Sequence, residues 1–106
     1  MSATLACHAE SVVTVRTSWY GKECRGKPMA WKAKPFNPDA LTCASWFYPL
    51  GTKLVVMHGS KTVRVTVTDR GPAKRLLATR QLDLSRAAFE RIAPLSEGVT
   101  TVQVAR

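Results

Sequence analysis

The chain has 106 residues, 45% of them hydrophobic, which fits one domain with a self-supporting core. Its 16 Lys and Arg against 7 Asp and Glu leave a formal charge of +9. That calls for an anionic partner, whether a polyanionic cell-wall surface, nucleic acid or acidic lipid. No stretch approaches the roughly 20 apolar residues of a membrane-spanning helix, and the basic residues are scattered rather than massed into a nucleic-acid tail.

Residues 1–11 are expected to be a disordered or residual mature amino terminus. They lack a basic n-region and their apolar run is short, so they do not form a complete signal peptide. The sequence is expected to begin near the mature start of an exported protein, with the signal peptide absent from it. Residues 12–106 are expected to form the domain. Val12 to Tyr20, rich in β-branched and aromatic residues, predicts a first strand that ends at Gly21. Lys22 to Pro38 carries Gly26, Pro28, Pro35 and Pro38 and predicts a long irregular loop, of the kind that is functional or tied down. Pro38 to Thr42 fits one helical turn or a short strand, and Pro49 to Thr52 a turn. Lys53 to His58 and Thr62 to Thr68 predict a hairpin around Gly59-Ser60. Lys74 to Arg80 reads as a basic loop, Gln81 to Leu84 as a short strand, and Ser85 to about Ala93 as a helix closed by Pro94. On that helix Ala88, Phe89 and Ile92 share a face. Val99 to Val104 predicts the last strand. Many short strands and one helix favour a small closed β-barrel, because closure leaves no exposed edge.

Three cysteines cannot all pair within the chain. Cys24 and Cys43 either form a disulfide that ties down the long loop, the favoured reading, or are two buried thiols. Such a bridge contributes roughly 3 kcal/mol on the chain-entropy estimate. Cys7 is left over. His8 and His58 stand alone and no C-x-x-C spacing occurs, so neither metal nor cofactor is expected.

Two carboxylates occupy prominent places. Asp69 ends the strand Val65-Thr66-Val67-Thr68, just before Arg70-Gly71-Pro72, and Asp83 lies in Leu82-Asp83-Leu84-Ser85 at the helix entry. Two carboxyl groups on rigid elements are the minimal equipment for chemistry on a glycosidic bond. The alternative is that Asp69 only fixes the turn and Asp83 only caps the helix. Trp19, Tyr20, Trp31, Trp46, Phe47 and Tyr48 lie in or beside loops, where flat rings suit sugars. Trp46 and Phe47 would equally fill the barrel, whereas Trp31, among lysines and prolines, is expected to be exposed.

Ser18-Trp19-Tyr20-Gly21, Pro35 to Ala44, Pro49-Leu50-Gly51-Thr52, Val67 to Pro72 and Leu82 to Phe89 occur in one order. The set resembles the rare lipoprotein A (RlpA-like) double-psi β-barrel family and, more distantly, the first domain of expansins. The resemblance runs from Val12 to Val104 and implies a mainly β fold, a six-stranded double-psi barrel with a groove across one face. It implies an exported, periplasmic or secreted protein, expected to be monomeric, that engages peptidoglycan or another wall polysaccharide. Some family members cut glycan strands as lytic transglycosylases (lyases), and expansin relatives loosen wall polysaccharide without obvious hydrolysis. By the resemblance, Asp69 is the Asp implicated in catalysis in lytic members and is the first candidate here. Asp83 is the important carboxylate of the expansin-like branch, and Ser18 and Tyr20 are groove positions. Trp31, Ser45, Trp46 and Arg70 complete the expected substrate-binding set. Two positions depart from the lytic pattern: Ser45 stands where lytic members have His, and Lys34 where they have an acidic residue.

One carboxyl group is enough for a lytic transglycosylase if it acts first as acid and then as base. That demands a raised pKa, which burial or a neighbouring carboxylate supplies and a paired Arg70 would oppose. Two other classes remain: an expansin-like wall-binding domain without turnover, and a single-strand nucleic-acid binder. The scatter of the bases and the cysteine usage disfavour the binder.

Overall fold

The computed structural model describes residues 12–106; Cys7, His8 and the expectations for the amino-terminal segment lie outside the described residues. Six strands form a closed barrel: β1 (Val13–Tyr20), β2 (Thr42–Ala44), β3 (Lys53–His58), β4 (Lys61–Asp69), β5 (Leu82–Ser85) and β6 (Thr100–Ala105). The order around it is β1-β5-β2-β4-β3-β6. β1 runs parallel to β5, and β2 parallel to β4; the other four pairings are antiparallel.

Period-two alternation builds the core. Leu54 and Val56 of β3, Val63, Val65 and Val67 of β4, and Val102 and Val104 of β6 all point inward and are at most 3% exposed. Helix α1 (Arg86–Glu90) closes one side, with Ala88, Phe89 and Ile92 buried against the strands as the shared face predicts. The helix is capped by Ser85, whose Oγ accepts from the Ala88 backbone N–H. Asp83 is therefore not the cap. It belongs to β5, where Leu82 and Leu84 take the inward positions and Asp83 faces the other way. The hairpin turns at Gly59, as expected, in the left-handed region that glycine favours (φ 62°).

The long loop is ordered without a disulfide. Cys24 and Cys43 are free thiols. Cys43 sits on β2 between Val67 and Leu84, wholly buried in the barrel core, while Cys24 lies in a 3-10 turn over Lys22–Cys24 at the rim. Backbone bonds and the buried side chains of Met29 and Phe36 tie the loop down instead. The Gly26 N–H donates to Phe36 O and the Phe36 N–H returns to Lys27 O, while the Met29 N–H donates to Lys34 O, at 2.8–2.9 Å. Phe36 is 3% exposed and its ring stacks on Tyr20 with centroids 4.4 Å apart. Among the described residues no helix is long and apolar enough to cross a membrane.

Candidate functional site

A groove of about 310 Å3 opens beside β1, β2, β4 and β5, at the ends of β1, β2 and β4 and the start of β5. Tyr20, Ala44, Asp69, Arg70, Pro72 and Asp83 line it, with Cys24, Lys27, Pro28 and Phe36 of the long loop forming one wall. The two carboxylates meet there through the register of one short strand. Ala44 of β2 pairs with Asp69 of β4 on one side and with Asp83 of β5 on the other. Two strand spacings separate their backbones, about 10 Å. The floor between them is small, since Ala44 carries only a methyl group and Gly71 none.

The carboxylates differ in surroundings. Burial pushes the Asp83 carboxyl up to about 6, against the opposing effects of the Ser18 hydroxyl and the Arg80 charge; Glu23 adds a smaller upward effect. Ser18 Oγ donates to Asp83 Oδ1 at 3.1 Å across the parallel β1–β5 pair. A carboxyl group with that pKa exchanges its proton near neutrality, as a general acid must. Asp69 instead holds backbone: its Oδ1 accepts from the N–H groups of Ala30 and Arg70, at 3.1 and 2.9 Å. It thus fixes the turn, as one reading of the sequence anticipated, while still lining the groove. The Arg70 guanidinium forms no ion pair with the Asp69 carboxylate. Its Nη1 donates to the carbonyls of Ser45 (2.9 Å) and Tyr48 (2.7 Å), so a cation is fastened to the loop after β2.

Tyr20 lines the groove with its ring against Phe36; its hydroxyl is buried and makes no hydrogen bond. Burial first, then the charges of Asp69 and Asp83, push its phenol far up, so it remains protonated. Of the remaining expected binding residues, Trp46 and Trp31 stand next to groove residues and Ser45 does not enter the groove. Trp46 donates from Nε1 to Pro72 O at 2.7 Å and is 38% exposed, with the Lys74 ammonium 4.5 Å from its ring centroid. Phe47, at 61% exposed, also lies outside the core. Trp31 is half-buried, its backbone N–H bonded to Thr68 O, with Lys32 and Lys34 over its ring. Ser45 is displaced from the groove: it is 1% exposed, its Oγ accepts from the Phe47 N–H, and it lines an apolar hollow with Val13, Val15 and Phe47. A hydroxyl is short enough to close this turn on its own backbone.

Lys27, Pro28, Phe36 and Cys24 were not singled out from the sequence as groove residues; the only signal was that so long a loop needs a reason to exist. Among the described residues no cluster of three His, Cys, Asp or Glu could hold a metal ion. His58 bonds Ile92 O through Nδ1 at 2.9 Å.

Comparison with known proteins agrees with this geometry. The lytic transglycolase family profile matches residues 12–104. The endolytic peptidoglycan transglycosylase RlpA of Campylobacter jejuni is 34% identical over 89 residues, which cover 82% of this chain and 31% of that protein. A probable endolytic peptidoglycan transglycosylase RlpA of Synechocystis is 37% identical over 87 residues, 80% of this chain and 26% of that protein. The chain thus spans between about a quarter and a third of these relatives. Among solved structures, the Streptomyces papain inhibitor superposes with a TM-score of 0.66 at 25% identity, covering 92% of this chain and 96% of that one. A Clavibacter michiganensis expansin in complex with cellohexaose superposes at 0.68 and 20% identity, covering 89% and 49%, which shows the shared fold. On the profile match over nearly all of the described residues and on these identities, the chain belongs to the lytic transglycolase family of double-psi β-barrels.

Proposed function

We propose that this domain acts outside the cytoplasm on the glycan strands of peptidoglycan as a lytic transglycosylase, with Asp83 as acid and base. The observation that carries this reading is Asp83 itself, a carboxyl group raised to about 6 by burial, in a groove shared with a second carboxylate. The relatives named as peptidoglycan transglycosylases support it. In this mechanism Asp83 protonates the glycosidic oxygen as the C1–O bond breaks. Asp69, across Ala44, faces the positive charge that develops on the sugar ring. The muramyl 6-hydroxyl then attacks C1 and returns its proton to Asp83, which leaves a 1,6-anhydro end. Ser18 orients Asp83, while the exposed Trp46 offers the ring face not covered by Lys74 to a flanking sugar.

One observation favours a second reading, an expansin-like domain that binds wall polysaccharide without cutting it. The hydroxyl of Ser45, at the position where lytic members carry His, is engaged in its own turn. Mass spectrometry of soluble products after incubation with purified sacculi separates the two. 1,6-Anhydro-muropeptides from the wild type, lost in Asp83→Asn and reduced at least tenfold in Asp69→Asn, are expected. Co-sedimentation with sacculi and no released product would leave the binding reading.

A further inference from the structure

A second hollow, of about 520 Å3, lies on the other arc of the barrel and shares no residue with the groove. Lys53 of β3, Arg64 of β4 and Arg106 after β6 stand around it. The strand register explains why they converge. Residues paired across an antiparallel ladder share a face. Val55 pairs with Arg64 on one side and Ala105 on the other, and Lys53 lies two residues before Val55. Lys53 and Arg64 are therefore diagonal neighbours with backbones about 7–8 Å apart. The same face continues through Gln103 and Thr101 of β6 to Thr14 and Arg16 of β1. Lys53, Arg64, Arg106 and Arg16 are all exposed.

No carboxylate side chain lies on this face. Among the described residues the acidic side chains are those of Glu23, Asp39, Asp69, Asp83, Glu90 and Glu97, in the long loop, the groove, α1 and the turn after it. The ion pairs among the described residues join Arg25 and Arg86 to Asp39, and Arg86 to Glu90; none uses a cation of this face. Among the described residues, Lys53, Arg64 and Arg106 thus surround the hollow with no acidic side chain on its face, and Arg16 lies farther along the same face. Such a surface raises the local concentration of anions and prefers polyvalent ones. A lipid surface would call for apolar or aromatic side chains to insert. The apolar side chains of this face, Val55, Met57 and Ala105, are only half-buried but none is aromatic, and the exposed aromatics Trp46 and Phe47 lie after β2.

We infer that the β3–β4–β6 face is a second binding site, which holds the carboxylate-bearing stem peptides of peptidoglycan while the groove on the opposite arc takes a glycan strand. The inference rests on the peptidoglycan reading above. Stem peptides supply several carboxylates on one flexible branch, which matches cations spaced at strand and ladder distances. Two separate sites let one small domain touch neighbouring branches of the same network.

The test is co-sedimentation of the full chain, at about 0.05 M and at about 0.5 M salt, with intact sacculi, with sacculi stripped of stem peptides by an amidase, and with anionic phospholipid vesicles. Wild type, Lys53→Glu/Arg64→Glu and Lys53→Gln/Arg64→Gln are compared, with melting temperatures measured beside them. The Glu pair is expected to bind intact sacculi about tenfold or more weakly at low salt, with the Gln pair between it and wild type. Both variants should bind and cut stripped strands as wild type does. If the Glu pair does not fold, the Gln pair alone decides. Undiminished binding of the variants to intact sacculi, wild-type affinity that survives removal of the stem peptides, or equally tight Lys53- and Arg64-dependent binding to vesicles would each overturn the inference. Loss of sacculus binding in the variants without glycan cleavage by the wild type would remove the lytic reading and leave this site standing.

Discussion

Burial of Asp83 sets two properties against each other. The folded chain holds the Asp83 proton more tightly than the unfolded one, since the pKa rises from 3.8 to about 6. The stability this contributes is complete below about pH 4 and is lost as pH rises through about 6. By the linkage relation the loss at neutral pH is of order 2–3 kcal/mol. Asp83→Asn carries no charge to bury. It is expected to melt with wild type near pH 4 and several degrees above it near pH 8, while releasing no anhydro product; equal melting temperatures at both pH values would contradict the burial argument. The thiols obey the same physics. Burial first, and then Asp83, pushes the Cys43 thiol up to about 12. In a Cys7→Ser background, Ellman's reagent should titrate Cys24 in the native protein and Cys43 only after denaturation. Asp83 was legible as a candidate from Leu-Asp-Leu-Ser. The short strand around it was legible too, but which of Asp83 and Ser85 caps the helix was not, because both are good caps and only the pairing with Ser18 and Ala44 decides between them.

At the scale of elements, the strands that could be read were those with enough β-branched alternation of their own: β1, β3, β4 and β6 end within a residue or so of where their pattern places them. β2 was the difficult one. Thr42–Ala44 is three residues long and exists because β4 and β5 pair with it on either side, which is information that no local window contains. The long loop was legible as functional, whereas its fastening was not. The sequence offers Cys24 as the obvious tie, but the side chain that enters the interior is Phe36. Phe36→Ala should therefore cost roughly 3 kcal/mol and release the loop. Limited trypsin digestion is expected to cut after Arg25 or Lys32 at least several times faster in this variant than in wild type. Unchanged cleavage would mean the backbone bonds alone hold the segment.

For the molecule as a whole, a closed barrel followed from strand count and the need to hide edges, but the mixed parallel order did not, since sequence adjacency favours hairpins and only β3–β4 is one. Closure joins first and last strands, β1 to β6, so neither half of the chain has a complete core. Unfolding should be all-or-none. Trp19 packs by α1, Trp31 in the long loop and Trp46 after β2, so indole emission samples three separate regions. Urea transitions followed by this emission and by far-ultraviolet circular dichroism are expected to coincide; an earlier emission change would mean that the loops detach first. Closure also gives the domain two separate arcs, with the groove carboxylates on one and, among the described residues, cations outside any ion pair on the other.

The small floor of the groove has a consequence for how this domain tolerates variation. A Cβ added at Gly71 would lie 3.2 Å from the Ala44 methyl, closer than such atoms normally pack. Positions 44 and 71 carry no reactive group, yet any enlargement there fills the space between the two carboxylates. A saturation library selected for wall engagement should be nearly as depleted at these two silent sites as at Asp83, while a library selected for folding alone would accept more at both. What marks the groove in such a map would be a ban on bulk, recorded at residues that chemistry never touches.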